Sequence, residues 1–562
     1  MVCAERVSWP LGPLVRGLGS SYVDFWEGIA VLGAQPSFVS GLGDSSVLFR
    51  TMSTEPSCRP AGYAALIERY QIQGVAPWHQ SLVCDGAAKR IESSATGETE
   101  TYPAQYWPGD DPCDHLEFAL KYDGTDLALL ARVFSAIGAG PIARWVQATP
   151  QGKYTRRIWY LFELLTGERL PLADMTAGNY VDLLEPTEYF ALERPTQVRR
   201  QRINDNLLGT GEFCPSVRRT AAISAFIDRD LSARSRELMS GYSPDLLKRA
   251  MGYLYTKETK SSFEIERITP DASRTERFVA LLHVATRDDL CAKPRLVEIQ
   301  NQIVDPRFRE GSYRTDQNYV GETVHYGNER IHYVCPGPEL VEGLMSGVVA
   351  AHRRMEASGV HPVLHAALVG YGFVFVHPFG DGNGRIHRLL IHNILARRGF
   401  VPSGMVFPVS AVMLKRPAEY DASLEAFSKP IVQLADYELD DSGRMKVRNG
   451  GVLAPLYRYP DMTAQVEALF AFIRQTVETE LAEELSFLAN YDRTKRAMQE
   501  VVDLPDRDLD LFIRLCLQNH GKLSKAKRES AFLALRDEEI ERLERCVKDG
   551  YRMAGADRAA DD

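Results

Sequence analysis

His377-Pro378-Phe379-Gly380-Asp381-Gly382-Asn383-Gly384-Arg385-Ile386-His387-Arg388 gathers a proton acceptor, an oxygen ligand, a glycine turn and two guanidinium groups in one short stretch. An unperturbed imidazole has a pKa of about 6.5, so His377 can take a proton at neutral pH. Asp381 offers the hard oxygen that Mg²⁺ prefers. Gly382, Asn383 and Gly384, with Gly380 just upstream, let the backbone approach an anion without interference from Cβ atoms, and such a turn aims several N–H groups into one concavity. A helix starting there adds its positive end to the same place. Arg385 and Arg388, three apart, then share a helix face from which both can fork onto phosphate oxygens. As plain structure the stretch is a Gly-rich loop before an Arg-rich helix start, a reading that needs several special residues to coincide by chance.

These residues fill the pattern His-x-Phe-x-Asp-Gly-Asn-Gly-Arg-x-x-Arg and so resemble the signature of the Fic (filamentation induced by cAMP) family. The similarity runs from about residue 255 to about residue 435. It implies an enzyme that moves AMP from ATP onto a Ser, Thr or Tyr hydroxyl of a target protein and releases diphosphate. In that scheme His377, Asn383 and Arg385 are catalytic. His377 takes the hydroxyl proton, Asn383 stabilises the α-phosphate oxygens and Arg385 holds the β-phosphate. Asp381 holds Mg²⁺, Gly380, Gly382 and Gly384 line the ATP site, and Arg388 holds the γ-phosphate. Tyr420 and Ser428, on either side of Leu424-Glu425-Ala426, resemble the family's adenine-side helix and are expected at the nucleobase, with an ordinary amphipathic helix as the alternative. The segment Tyr313–Gly321 followed by Tyr333, Val334 and Pro336 looks like the family's flap, which pairs with the backbone of the target.

A second segment lies around Leu246 to Glu266. Ser261 followed three residues later by Glu264 reads as a capping box, and Pro270 as an early end to the helix, so a short capped helix is the structural expectation. Ser262-x-x-x-Glu266 also resembles the inhibitory motif of Fic proteins, in which the Glu pairs with the second motif arginine, here Arg388. A carboxylate on Arg388 takes the guanidinium needed by the γ-phosphate and repels that phosphate. The family usually places Gly or Asn after this Glu, whereas this chain has Arg267.

At 562 residues the chain has room for two to four domains. With 45% apolar and 25% charged residues it is ordinary for a globular protein, and a net charge of -9 gives no electrostatic reason to expect whole-protein binding to nucleic acid or anionic lipid. Nine cysteines with no Cys-x-x-Cys pair argue for reduced thiols and a cytoplasmic location. The longest apolar run, Leu364 to Val376, is too short to span a bilayer and reads as a buried core helix.

Helical patterning marks a first unit from Tyr63 to about Phe226, notably His115–Lys121 and Arg157–Leu165, the latter stopped by Gly167. Its basic cluster Lys153-Tyr154-Thr155-Arg156-Arg157 is expected to be a solvated first turn rather than a nucleic-acid patch. His361 and His365 stand at metal-ligand spacing on a helix, yet no Glu adjoins them, and they are expected to be one exposed and one packed histidine; His387 and His392 have the same alternative. After the motif the helix continues to Arg397 and ends at Gly399. The segment 521–528 suggests a winged-helix-like unit, and Glu538 with Arg542 a pair at i, i+4 on a mixed-charge helix. The expected fold is therefore mainly α: a Fic (Fido) helical core with a small β-hairpin flap, flanked by N-terminal and C-terminal helical domains. The divisions expected are a leader over 1–51 without a fold, an N-terminal domain over 52–235, a Fic domain over 236–435 with its inhibitory segment at 261–268 and flap around 313–335, and an accessory domain over 436–562. The expected partners are ATP and a protein target, without a membrane. A second copy docking through the core is left open. Rival readings on the same scaffold are removal of AMP and transfer of another phosphate-containing group; a rival of another class is a DNA-binding regulator using the C-terminal basic segment.

Overall fold

The computed structural model describes residues 58–552 apart from residues 75, 95–96 and 326–327, so the expected leader over 1–51 lies outside the described residues. The chain is mainly helical, with small sheets, as expected from the pattern. At its start, Cys58–Ala61, His79–Cys84, Gly97–Pro103 and Arg90–Ser94 lie side by side in that order. The outer pairs are antiparallel and the central pair parallel. This register sets Cys58 opposite Cys84, and the two sulfurs are bonded. The expectation of reduced thiols throughout is thus corrected: residues 26 apart in sequence become cross-strand neighbours, a placement that spacing alone does not reveal. Cys113, Cys214, Cys291, Cys335, Cys516 and Cys546 are free thiols.

Among the helices that follow, Lys153–Thr166 buries Trp159, Phe162 and Leu165, and Gly167 at φ 73° closes it as its position foretold. The solvated first turn expected there is corrected by the structure. Arg156 and Arg157 are buried and turned inward, Arg156 donating to the Asn179 carbonyl at 2.6 Å and Arg157 to the Asp182 carbonyl at 2.8 Å and to Glu185 at 2.9 Å. Their charge is satisfied by a neighbouring loop, which a local pattern cannot register.

The largest apolar core gathers side chains from Phe190 to Leu485 around the helix Pro362–Val376. That helix is buried on nearly every side, as its apolar run required. Against it pack Pro338–Ser358, the motif helix Asn383–Arg397 and Thr463–Gln475. The flap is an antiparallel hairpin, Tyr319–His325 with Asn328–Val334. Tyr457 fastens its base through a bond to the Val334 carbonyl at 2.7 Å.

A third core, Met498 to Val547, is formed by Asp506–Gln518, Asp537–Gly550 and the end of Leu481–Gln499. Among the described residues no strand follows Val447, so the expected winged-helix likeness lacks its hairpin wing. Arg528 and the Leu523 N–H both bind Glu544, at 3.0 and 2.8 Å, which fixes part of the basic segment to the neighbouring helix. Among the described residues no single helix is long and apolar enough to cross a membrane.

Candidate active site

The helix Pro362–Val376 opens with Pro at its first turn, where a missing N–H is harmless, and delivers His377 at its end. His377 takes φ 52°, a left-handed conformation unusual for a residue with a side chain, and its N–H still bonds the Phe373 carbonyl at 3.0 Å. The turn persists because Arg314 over-determines it. This buried side chain donates to the carbonyls of His377 (2.8 Å), Pro336 (2.7 Å) and Asp316 (2.7 Å), while its own N–H bonds Pro378. One guanidinium therefore ties the flap base to the motif. Nδ1 of His377 lies 3.1 Å from the Val374 carbonyl. A carbonyl only accepts, so Nδ1 carries the hydrogen and the lone pair of the neutral ring is on Nε2. Burial pushes the pKa of this histidine down to about 4, leaving it neutral and able to accept a proton at physiological pH.

From His377 the chain turns through Gly382 at φ 94° into the motif helix, whose first bond joins the Ile386 N–H to the Gly382 carbonyl. The Asn383 amide closes this turn from within, accepting the Phe379 N–H at 3.1 Å and donating to the Phe379 carbonyl at 2.7 Å. Its N–H group, expected on a phosphate, thus holds the loop in this structure. Gly384 has a stricter requirement: a Cβ there would lie 2.1 Å from an Oε of Glu266. A carboxylate already occupies the glycine turn at the helix N-terminus, where backbone N–H groups and the helix dipole favour an anion.

Both arginines are buried, each 1% exposed. Arg385 donates to the Ile303 carbonyl at 3.1 Å and pairs with Asp381 through its Nη2. Its Nε is buried without a hydrogen-bond partner and is open to an acceptor. Arg388 meets Ser262, Glu266 and Tyr420 together. Its Nε donates to the Ser262 hydroxyl at 3.0 Å, Nη2 to the Ser262 carbonyl and to Glu266, both at 2.7 Å, and Nη1 to the Tyr420 hydroxyl at 3.3 Å. Tyr420 is therefore beside the motif, and Ser428 is buried further along the same helix.

The carboxylate on Arg388 comes from the end of a long helix, Pro244–Ile265, not from the short capped helix expected. Its cap is Ser243, whose hydroxyl accepts the Leu246 N–H at 3.3 Å; Ser261 is interior, so the capping box is not formed. The stop precedes Pro270 as well. The Ile268 N–H reaches back to the Phe263 carbonyl while Arg267 sits at φ 54°, the arrangement in which a helix ends on a left-handed residue. Gly or Asn adopts that conformation readily, which gives a physical reason for Arg267 to be the unusual residue here. Glu258, Ser262 and Glu266 recur every fourth residue and form one stripe. It faces Arg388 and His392, likewise four apart, with His392 Nε2 donating to Glu258 at 2.7 Å. The two helices are thus bolted at two successive turns.

His361, His365 and His387 have structural roles, and the exposed member expected of the pair His361 and His365 is corrected: His361 is partly buried and His365 buried. His361 caps its helix, accepting the Val363 N–H at 3.3 Å, and His387 packs edge-on against Tyr371. His365 receives a bond from Arg398 at 3.0 Å on Nδ1, so its Nε2–H donates to His352 Nδ1 at 2.9 Å and leaves the His352 hydrogen on Nε2, 3.4 Å from Asp289. Asp289, Cys291 and His352 are close enough to hold a metal, but this tautomer places a hydrogen where a metal would need a lone pair.

For Mg²⁺ the residues fit. Asp381 presents a carboxylate that is 23% exposed beside the glycine turn, and its present partner Arg385 has the unpartnered Nε that a phosphate would engage. Sequence reasoning assigned no role to Arg314 or Glu258. Their functions consist of bonds to distant carbonyls and to His392, and no local motif encodes these.

Residues 291–395 match the Fic/DOC family. The protein adenylyltransferase Fic of Aedes aegypti is 34% identical over 122 residues, covering 21% of this chain and 22% of that protein. Its Drosophila melanogaster counterpart is 38% identical over 110 residues, 19% of this chain and 20% of that protein. The chain thus spans about a fifth of the length of these relatives. The crystal structure of a Fic family protein from Desulfovibrio desulfuricans G20 aligns over 50% of this chain and 80% of that one at 20% identity, with a TM-score of 0.33. The signature 377–388 falls inside the matched segment, so residues 291–395 of this chain are similar to the Fic/DOC family.

Proposed function

We propose that this chain is a protein adenylyltransferase: it transfers AMP from ATP to a Ser, Thr or Tyr hydroxyl of a protein, and Glu266 restrains it. The observation that carries the reading is the glycine turn at Gly382–Gly384, flanked by two buried arginines and already holding a carboxylate over Gly384. Such a cradle suits a polyphosphate, and the relatives' names identify adenylyl transfer as the reaction.

The ATP phosphates lie over the turn, with Arg385 on the β-phosphate and Arg388 on the γ-phosphate once Glu266 withdraws. Asp381 is the residue that would hold Mg²⁺, whose chemistry when bound is to neutralise phosphate charge and make diphosphate a better leaving group. Nε2 of His377 accepts the proton as the target hydroxyl oxygen bonds to the α-phosphorus. The bond from that phosphorus to the β-phosphate oxygen breaks, and its electron pair leaves with diphosphate. Arg314 keeps the imidazole and the flap in one frame, so a target strand added to the flap edge brings its hydroxyl to a fixed base. The cytoplasmic location was expected from reduced thiols; among the described residues six thiols are free, and the Cys58–Cys84 bond counts against that ground.

Loss of a general base typically costs about 10² to 10⁴ in rate. His377→Ala is therefore expected to lose label transfer from α-³²P-ATP to protein by that factor while retaining its thermal unfolding transition. Undiminished transfer, or label arriving from γ-³²P-ATP instead, refutes the proposal.

A further inference from the structure

Asp381 is held through its backbone as well as by its salt bridge. Oε1 of Glu310 accepts the Gly380 N–H at 2.6 Å, and the Asp381 N–H faces the same carboxylate. On the other side Gln300, fully buried on the helix Lys293–Ile303, donates to the Asp381 carbonyl at 3.3 Å. Gln300 and Asn301 also hold Glu310 itself. The Glu310 N–H lies 3.2 Å from Gln300 Oε1 and 3.0 Å from Asn301 Oδ1, and the Asn301 amide donates to the Glu310 carbonyl at 3.0 Å. The peptide groups on both sides of Asp381 are thus gripped, one by Glu310 and the other by Gln300, and these two residues are bonded to each other.

The contact also accounts for a residue in the motif. A Cβ on Gly380 would come within 3.1 Å of the same Glu310 oxygen, closer than a relaxed contact allows. Gly380 and Glu310 therefore fit each other across 70 residues of sequence. A carboxylate that must meet a hard, geometrically demanding cation gains from a fixed backbone, because Mg²⁺ tolerates little departure from octahedral geometry.

We propose that Glu310, braced by Gln300, is the positioning residue that sets Asp381 for its divalent cation; this rests on the nucleotide-transfer reading above. Outer residues that orient a metal ligand typically affect metal affinity by about 10- to 100-fold. In the Glu266→Gly background, with free Mn²⁺ read by electron paramagnetic resonance in the presence of ATP, Glu310→Ala is expected to weaken Mn²⁺ binding by about that factor. Amide exchange in the peptide 378–383, measured without nucleotide, is expected to quicken in the same variant. Glu310→Gln keeps a carbonyl acceptor and is expected to restore most of both.

Unchanged binding and exchange in Glu310→Ala overturn the proposal, as does a Gln variant as weak as the Ala variant, which would mean that the charge acts directly. Asp381→Ala separates the two levels. If it too leaves Mn²⁺ binding unchanged, the metal assignment of the nucleotide reading falls and the proposal with it; if it abolishes binding while Glu310→Ala does not, the proposal alone falls. Should Glu310→Ala not fold, Gly380→Ala crowds the same contact from the other side and is expected to weaken Mn²⁺ binding likewise; a neutral effect there overturns the proposal.

Discussion

Replacing Glu266 by glycine removes the carboxylate 2.7 Å from Arg388 and clears the space over Gly384. Arg388 is 1% exposed and keeps Ser262 and Tyr420 as partners, so the loss is one charge-assisted bond rather than all of its ligation. Bonds of this kind contribute about 1.5–3 kcal/mol, and the Glu266 side chain, 30% exposed, belongs in the lower part of that range. If the bond must break before the γ-phosphate reaches Arg388, the competent population rises on its removal by about tenfold for each 1.4 kcal/mol. Self-modification should therefore increase by about 10- to 40-fold in Glu266→Gly. The assay is incorporation of α-³²P label into the protein, compared with Glu266→Gln, which keeps a neutral hydrogen bond and should fall between. The doubly substituted Glu266→Gly/His377→Ala protein should be inactive. Incorporation equal to that of the unaltered protein, in a variant that binds ATP no more tightly, refutes the competition argument and leaves the Glu266–Arg388 pair as a structural contact only.

The buried imidazole sets a pH signature: with His377 held near 4, kcat/KM of the Glu266→Gly protein should stay level from pH 8 to about pH 5, and an acid limb near 6.5 contradicts the assigned base. The same depression means that the neutral ring contributes stability above the unfolded value of about 6.5, and this contribution is lost as pH falls toward 4; chemical denaturation across that window measures it. Arg267→Gly relieves a left-handed residue at the helix end, and should raise stability by about 1 kcal/mol and lower self-modification severalfold, read by the denaturant midpoint and label incorporation. Closing a loop between residues 26 apart gives a chain-entropy contribution of about 3.5 kcal/mol, so Cys58→Ser should destabilise the N-terminal sheet by up to that amount, and unreduced peptide mapping should recover Cys58 linked to Cys84.

The stretch 377–388 by itself determined the turn, the helix that follows it and the chemistry gathered there, because those properties are local. A glycine at 382 takes φ 94° at little steric cost, arginines three apart share a helix face, and a run from Leu364 to Val376 that is apolar but for His365 must be largely buried. Ser262 and Glu266 were legible as a pair through their resemblance to the family's inhibitory motif, and the helix sets them on one face because four residues make about one turn. Only the tertiary structure decided what those groups meet. It carried Arg156 and Arg157 inward to carbonyls that a basic cluster does not advertise, and it bonded two cysteines through strand register. It ran the helix on through Ser261, because packing along Pro244–Ile265 outweighs a local capping signal. It also recruited Arg314, Glu258 and Glu310, which make bonds across 63, 134 and 70 residues of sequence. A hydrogen bond between distant residues leaves no period or spacing in the chain, so its partners become visible only when the fold brings them within about 3 Å.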